Sequence, residues 1–144
     1  GRLRERFPGA GLVLVGAGSL GGELRRRADA GPHGEHVLLC GDVGREVALR
    51  VIAASDLMLR TTLYDGDSIA VREAVHFGVP VVATDRAPRP EGVRVVPAQD
   101  LSAVCEAAAQ CLSNGARRAP AGEASEENMA AVLALYEEML SAGR

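Results

Sequence analysis

Two carboxylates and a run of small residues in the middle of the chain have the types and spacing of a ligand-binding edge. Asp65-Gly66-Asp67-Ser68 is a short, hydrogen-bonding turn, and Glu73 follows five residues after Ser68. Ser68 suits a helix N-cap and Gly78 a C-cap, which predicts a helix over residues 68–77. The amino end of a helix presents free N–H groups and the positive end of a dipole, a cradle for phosphate or sugar hydroxyls. Gly66 lets backbone approach a ligand closely. Glu73 lies roughly 7.5 Å along the axis from Ser68. Asp65 and Glu73 are thus two carboxylates along one groove, suited to a ligand with hydroxyls at both ends and anionic charge between them. A nucleotide sugar has that layout.

The helix that must position Glu73 is apolar over most of its circumference: Ile69, Ala70, Val71, Ala74, Val75 and Phe77. Its polar residues Arg72, Glu73 and His76 fall within a sector of about 100°. Such a helix is expected to be buried, its polar stripe turned to a cleft, a partner or an ion pair.

Around it, short apolar runs alternate with helical patterns. Strands are predicted at residues 11–16 (GLVLVG), 36–41 (HVLLCG), 56–59, 79–84 and 93–96. Helices are predicted at 21–30, 44–54, 68–77 and 100–112, and another helical pattern runs from residue 2 to 7. The strands are continuous apolar runs, as in parallel sheets covered on both faces. The alternation predicts a doubly wound α/β domain, in which ligands bind at the carboxyl ends of the strands. The informative loops are then 16–22, 41–44, 60–68 and 85–92. Residues 1–113 are expected to form this domain, 114–122 (Gly/Pro/Ala-rich) a linker, and 123–144 a terminal segment with a helix over 123–140. That helix is expected to pack back on the domain or on a domain outside this sequence.

The chain has 144 residues and a net charge of −3, with 47 % hydrophobic residues and no Trp. A basic stripe with interleaved aromatics is missing, which argues against nucleic acid as partner; Arg25, Arg26 and Arg27 read as a solvated helix face. No apolar run reaches the ~18 residues of a membrane span. Cys40, Cys105 and Cys111 lack metal-ligand spacing; Cys105 and Cys111 read as small buried hydrophobes. A reducing, cytoplasmic setting is expected, with no metal site. Because the helical pattern opens at residue 2, the sequence is expected to be part of a longer polypeptide.

Asp65, seven residues, Glu73, then Gly78-Val79-Pro80-Val81-Val82-Ala83-Thr84-Asp85 resembles the donor-site signature of family 4 glycosyltransferases of the two-Rossmann-domain (GT-B) type. Residues 12–18 (LVLVGAG) and 37–43 (VLLCGDV) look like the second and third strands of that family's donor domain, and Ala54-Ser55-Asp56 like the entry to its next strand. The resemblance spans about residues 10–112. It implies a Rossmann-like fold, one half of a GT-B enzyme, and retaining transfer from a nucleotide-diphosphate sugar without an obligatory metal or other cofactor. It implies that Glu73 binds the ribose hydroxyls and Asp65 the transferred sugar. Backbone amides near Asp67, Ser68 and Ile69, beside Gly66, would hold sugar and phosphate oxygens. Gly41, Asp42 and Val43 would lie near the base. The family's first acid is usually Glu, one methylene longer than Asp65. Its diphosphate-neutralising Arg and Lys normally precede the position of Arg2, and its acceptor-binding domain lies outside this sequence. The catalytic residues are not identified.

Two further readings stay open. Asp67-Ser68, Glu73-Ala74, Gly78-Val79-Pro80 and Arg89-Pro90-Glu91-Gly92 also resemble a nucleotide-sugar epimerase of the same architecture. A non-catalytic nucleotide-binding module is the other. Gly16, Gly18 and Gly21 have dinucleotide-fingerprint spacing with Asp42 about 20 residues on, a weak match alone. The loop 86–92 reads either as a loop at the cleft or as one whose Arg89 is merely solvated, and His76 as a core or cleft-edge residue.

Overall fold

A computed structural model describes residues 1–16 and 18–114. The elements run α1 (Arg2–Arg6), β1 (Leu12–Val15), α2 (Gly21–Ala30), a 3-10 turn at Gly34–His36, β2 (Val37–Gly41) and α3 (Arg45–Ala54). They continue through β3 (Met58–Arg60), α4 (Ile69–His76), β4 (Val81–Thr84), β5 (Arg94–Val96) and α5 (Leu101–Ser113). The expected linker beyond residue 114 and the helix over 123–140 lie outside the described residues.

All strand pairs are parallel: β1 with β2, β3 with β4, and β4 with β5. The α/β alternation and parallel strands make a doubly wound, Rossmann-like domain. The sheet is broken, however, into a two-stranded part (β1-β2) and a three-stranded part (β3-β4-β5).

The core lies in the second part. β4 is buried along its whole length. Alternation sends its residues to opposite faces. Val81 and Ala83 join Val71 and Ala74 of α4, with Ile52 of α3 and Met58 of β3 packed against them. Val82 joins Val96 of β5 and Ala107 of α5, with Leu59 and Cys111 alongside. Helices thus cover both faces, as the continuous apolar run of β4 requires.

The expectation that every strand is covered on both faces fails for β1 and β2. Leu12, Val13 and Val15 are each more than 40 % exposed and Leu38 is 60 % exposed. These two strands pair only with each other, and no described element seals both of their faces. An apolar run reports that a strand calls for cover and says nothing of what supplies it.

α4 ends in a Schellman motif, which its sequence dictates. Gly78 takes φ +69, a conformation that costs glycine little. The Gly78 amide donates to Val75 O at 3.0 Å and the Val79 amide to Ala74 O at 2.9 Å. Only Val71 and Ala74 of α4 are fully buried, and Ile69 is 66 % exposed, so the helix is less enclosed than its composition predicts. No described helix is long and apolar enough to cross a membrane.

Candidate functional site

The carboxyl ends of β2, β3 and β4 and the amino ends of α3 and α4 define one edge of the domain. Most of the residues singled out by the sequence lie along it, joined by arginines to which the sequence reading gave no place in the donor site.

At the end of β3, Arg60 donates to Asp65 through Nε (3.1 Å to Oδ2) and Nη2 (3.0 Å to Oδ1). Arg89 donates to the same carboxylate through Nη1 (2.8 Å to Oδ2). The Asp65 side chain is 6 % exposed and that of Arg89 2 %. Arg89 is therefore no solvated loop residue, correcting that alternative of the sequence reading. Its Nε and Nη2 donate to Thr84 O at 3.2 and 3.1 Å, tying the loop after β4 to the loop after β3. The Thr84 hydroxyl donates to Thr62 O at 2.7 Å, closing the same connection. The Arg60 hydrogen bonds hold the Asp65 carboxyl well below the usual carboxylate range; burial opposes this, and Arg89 adds to it. Both Asp65 oxygens accept from guanidinium groups, so a sugar hydroxyl at Asp65 would share oxygens already engaged.

Asp67 is bonded to Arg72 on the outer side of the turn: Arg72 Nε lies 2.8 and 2.9 Å from its two oxygens. Both side chains are more than half exposed. The Arg72 hydrogen bonds lower the Asp67 pKa. Ser68 occupies the N-cap position of α4, yet its hydroxyl makes no capping bond. Its carbonyl accepts the first intrahelical bonds, from the Val71 and Arg72 amides at 3.0 and 3.2 Å. The cap assignment holds by position, without the expected side-chain bond.

Glu73 is 18 % exposed and meets Arg45 of α3, whose Nη2 lies 2.7 Å from Oε1. That ion pair brings the charges together without hydrogen-bond alignment: Oε1 is buried and has no hydrogen-bond donor among the described residues. Arg45 is the first residue of α3 and is 71 % exposed, so the pair opens to solvent at this edge. The loop carrying Gly41, Asp42 and Val43 runs into Gly44, the N-cap of α3, and so delivers Arg45 to Glu73. Gly41 takes φ +66, and its carbonyl accepts from the Gly16 amide at 2.8 Å. His76 is exposed, its ring edge-on to Phe77.

Gly16 and Gly18 sit between β1 and α2, and Gly21 is the first residue of α2. The first turn of α2 already carries Glu23, which pairs with Arg27. A carboxylate there opposes a second anion at that helix end. Among the described residues no group of three His, Cys, Asp or Glu could hold a metal ion.

The contacts of Arg45, Arg60 and Arg89 escaped the sequence reading in different degrees. Arg60 was visible as a charge ending the apolar run 57–59. Arg45 and Arg89 carry no local signal, since their partners lie 28 and 24 residues away.

The fold and this edge define a doubly wound α/β domain whose strand ends gather several Arg–carboxylate pairs. The family model described as "Glycosyl transferases group 1" matches residues 1–114, and the chain belongs to that family. No curated protein matches the sequence. Among solved structures, that of HepE from Anabaena, in complex with UDP, is similar with a TM-score of 0.65 and 17 % identity. The similarity covers 81 % of this chain and 36 % of HepE, so the chain spans about a third of that neighbour's length.

Proposed function

We propose that this domain binds the nucleotide-diphosphate sugar of a retaining, cytoplasmic glycosyltransferase of the GT-B type, the acceptor being bound by a second domain of the same polypeptide. The observation that carries the reading is the Glu73 carboxylate, whose buried Oε1 is ion-paired with Arg45 yet accepts no aligned hydrogen bond. A buried acceptor without a donor is costly and is rare in native structures. A ribose hydroxyl is a donor of the right kind, and the amino end of α4, with no acidic residue in its first turn, favours an anion nearby.

In this reading Glu73 accepts from the ribose hydroxyls, and Gly41, Asp42 and Val43 border the base. Asp65, Gly66, Asp67, Ser68 and Ile69 border the sugar and phosphates. The bond from the anomeric carbon to the diphosphate breaks, and a bond to the acceptor oxygen forms on the same face of the sugar. The acceptor proton leaves with the diphosphate. Donors fixed toward that leaving group would stabilise the charge it gains, without a required metal.

Calorimetry on the full-length protein with UDP, GDP, ADP, CDP and TDP tests the reading. One of them binds, and Glu73→Ala removes most of that binding; uniform silence across the panel overturns the proposal. Sugar transfer persists in excess EDTA. Incubation of a nucleotide sugar without acceptor yields no epimerised product, which separates this function from the epimerase that the Arg89-Pro90-Glu91-Gly92 loop also resembles. Arg89 here has a structural task, clamping Asp65, which accounts for it without epimerase chemistry.

A further inference from the structure

Around the buried Asp65 the charges do not balance: Arg60 and Arg89 both pair with this one carboxylate, two positive groups against one negative. Arg72 has Asp67 to itself, and Arg45 has Glu73. Arg60 and Arg89 share Asp65. Arg89 is sealed at 2 % exposure and spends its other donors on Thr84 O, whereas Arg60 is 36 % exposed. The surplus charge that a ligand can reach at this cluster therefore resides on Arg60.

Its position follows from the strand. Met58 packs in the cluster formed by β4 and α4, while Leu59 packs in the opposite one with α5. Arg60, two residues beyond Met58, projects to the α4 side at the carboxyl end of β3. Asp65 then fixes its guanidinium through Nε and Nη2. The Nη1 hydrogens meet no acceptor among the described residues. A guanidinium held by a fork on one side, with donors free on the other, is pre-organised for phosphate oxygens.

We propose that Arg60 is a binding residue for the diphosphate of the donor, with Asp65 and Arg89 as positioning residues that hold it in place. This rests on the donor-binding reading and adds a specific cation to it. The clamp keeps the long Arg60 side chain from losing rotamer freedom when the ligand arrives, so more of the interaction appears as affinity.

The test uses full-length protein, the nucleoside diphosphate that binds best in the panel above, and its parent nucleoside. Arg60→Gln lowers diphosphate affinity about 10- to 100-fold, the range for hydrogen bonds to a charged group. It leaves nucleoside affinity within about two-fold, because the base and ribose contacts lie elsewhere. Arg60→Lys keeps the charge and recovers most of the loss. Undiminished diphosphate affinity in Arg60→Gln overturns the proposal, and so does an equal loss for diphosphate and nucleoside, which would mean that Arg60 only supports the loop. If the wild type binds no nucleoside diphosphate, the donor reading itself fails and this assignment with it. Failure of Arg60 alone leaves that reading standing.

Discussion

Asp65 and Asp67 stand two residues apart in one turn, yet their environments separate their energetics. Asp65 is enclosed with Arg89 and braced by Arg60, whereas Asp67 and Arg72 pair in the open. Removing one partner from a buried pair strands the other, at a cost of about 3–5 kcal/mol. Asp65→Ala, which strands the sealed Arg89, is expected to destabilise by about that much in denaturant titration, and Arg89→Ala by less, because Asp65 keeps both Arg60 hydrogen bonds. Arg72→Ala is expected to leave the unfolding midpoint unchanged, since exposed pairs contribute little. The pH dependence follows from the same clamp. The folded Asp65 pKa is depressed below its unfolded value, so its contribution to stability is complete above the ordinary carboxylate range and is lost as pH falls through and below it. Unfolding monitored from pH 7 down to pH 2 should show an acid-side loss in the wild type that Asp65→Asn flattens, its starting stability being lower. An identical acid slope in both proteins would mean that Asp65 does not carry this linkage.

At the level of elements, the helix caps are where local sequence and structure agree most closely, and where they part. The spans 21–30 and 44–54 emerge as α2 and α3 to within one residue, because glycines and apolar periodicity are local signals. Asp100 caps α5 by accepting from the Ala103 amide at 2.9 Å. Ser68 begins α4 without any such bond. Asp100→Ala should therefore cost about 1 kcal/mol, the usual worth of a side-chain cap, while Ser68→Ala should leave stability unchanged. Thermal or denaturant unfolding of the two variants side by side distinguishes them. A cost at Ser68 equal to that at Asp100 would contradict the geometry described. Gly78→Ala should cost about 1–2 kcal/mol, because it forces a Cβ into the left-handed region that closes α4. The acid–Glu spacing of 65 and 73 was legible because it spans one turn and one helix. The arginine contacts were not, because the partners of Arg45 and Arg89 come from other elements, and no pattern within a window of ten residues encodes them.

Over the whole molecule, burial is uneven in a way that composition conceals. Every fully buried apolar residue among those described lies between Val71 and Ala109, in β4, β5, α4, α5 and the turn after α4. α1, α2 and α3 contribute none. β1 (LVLV) and β4 (VVAT) are both largely apolar in sequence, so little in their residue types distinguishes β4, sealed on both faces, from β1, open to solvent. That difference depends on which elements flank each strand, a long-range property that apolar runs do not carry. Local opening follows buried contact density, ranging from near zero free energy in poorly packed segments to the global value in the core. Amide hydrogen exchange on this chain should therefore divide at the break in the sheet. Amides of β4, α4 and α5 should exchange slowly and together. Those of β1 and β2 should exchange much faster, although their ladder hydrogen bonds are of the same parallel kind. In a longer polypeptide that covers Leu12, Val13, Val15 and Leu38, protection of β1 and β2 should rise toward that of β4. Uniform protection across both sheets in the isolated chain would mean that the two-stranded part draws its stability from something other than the packing described here.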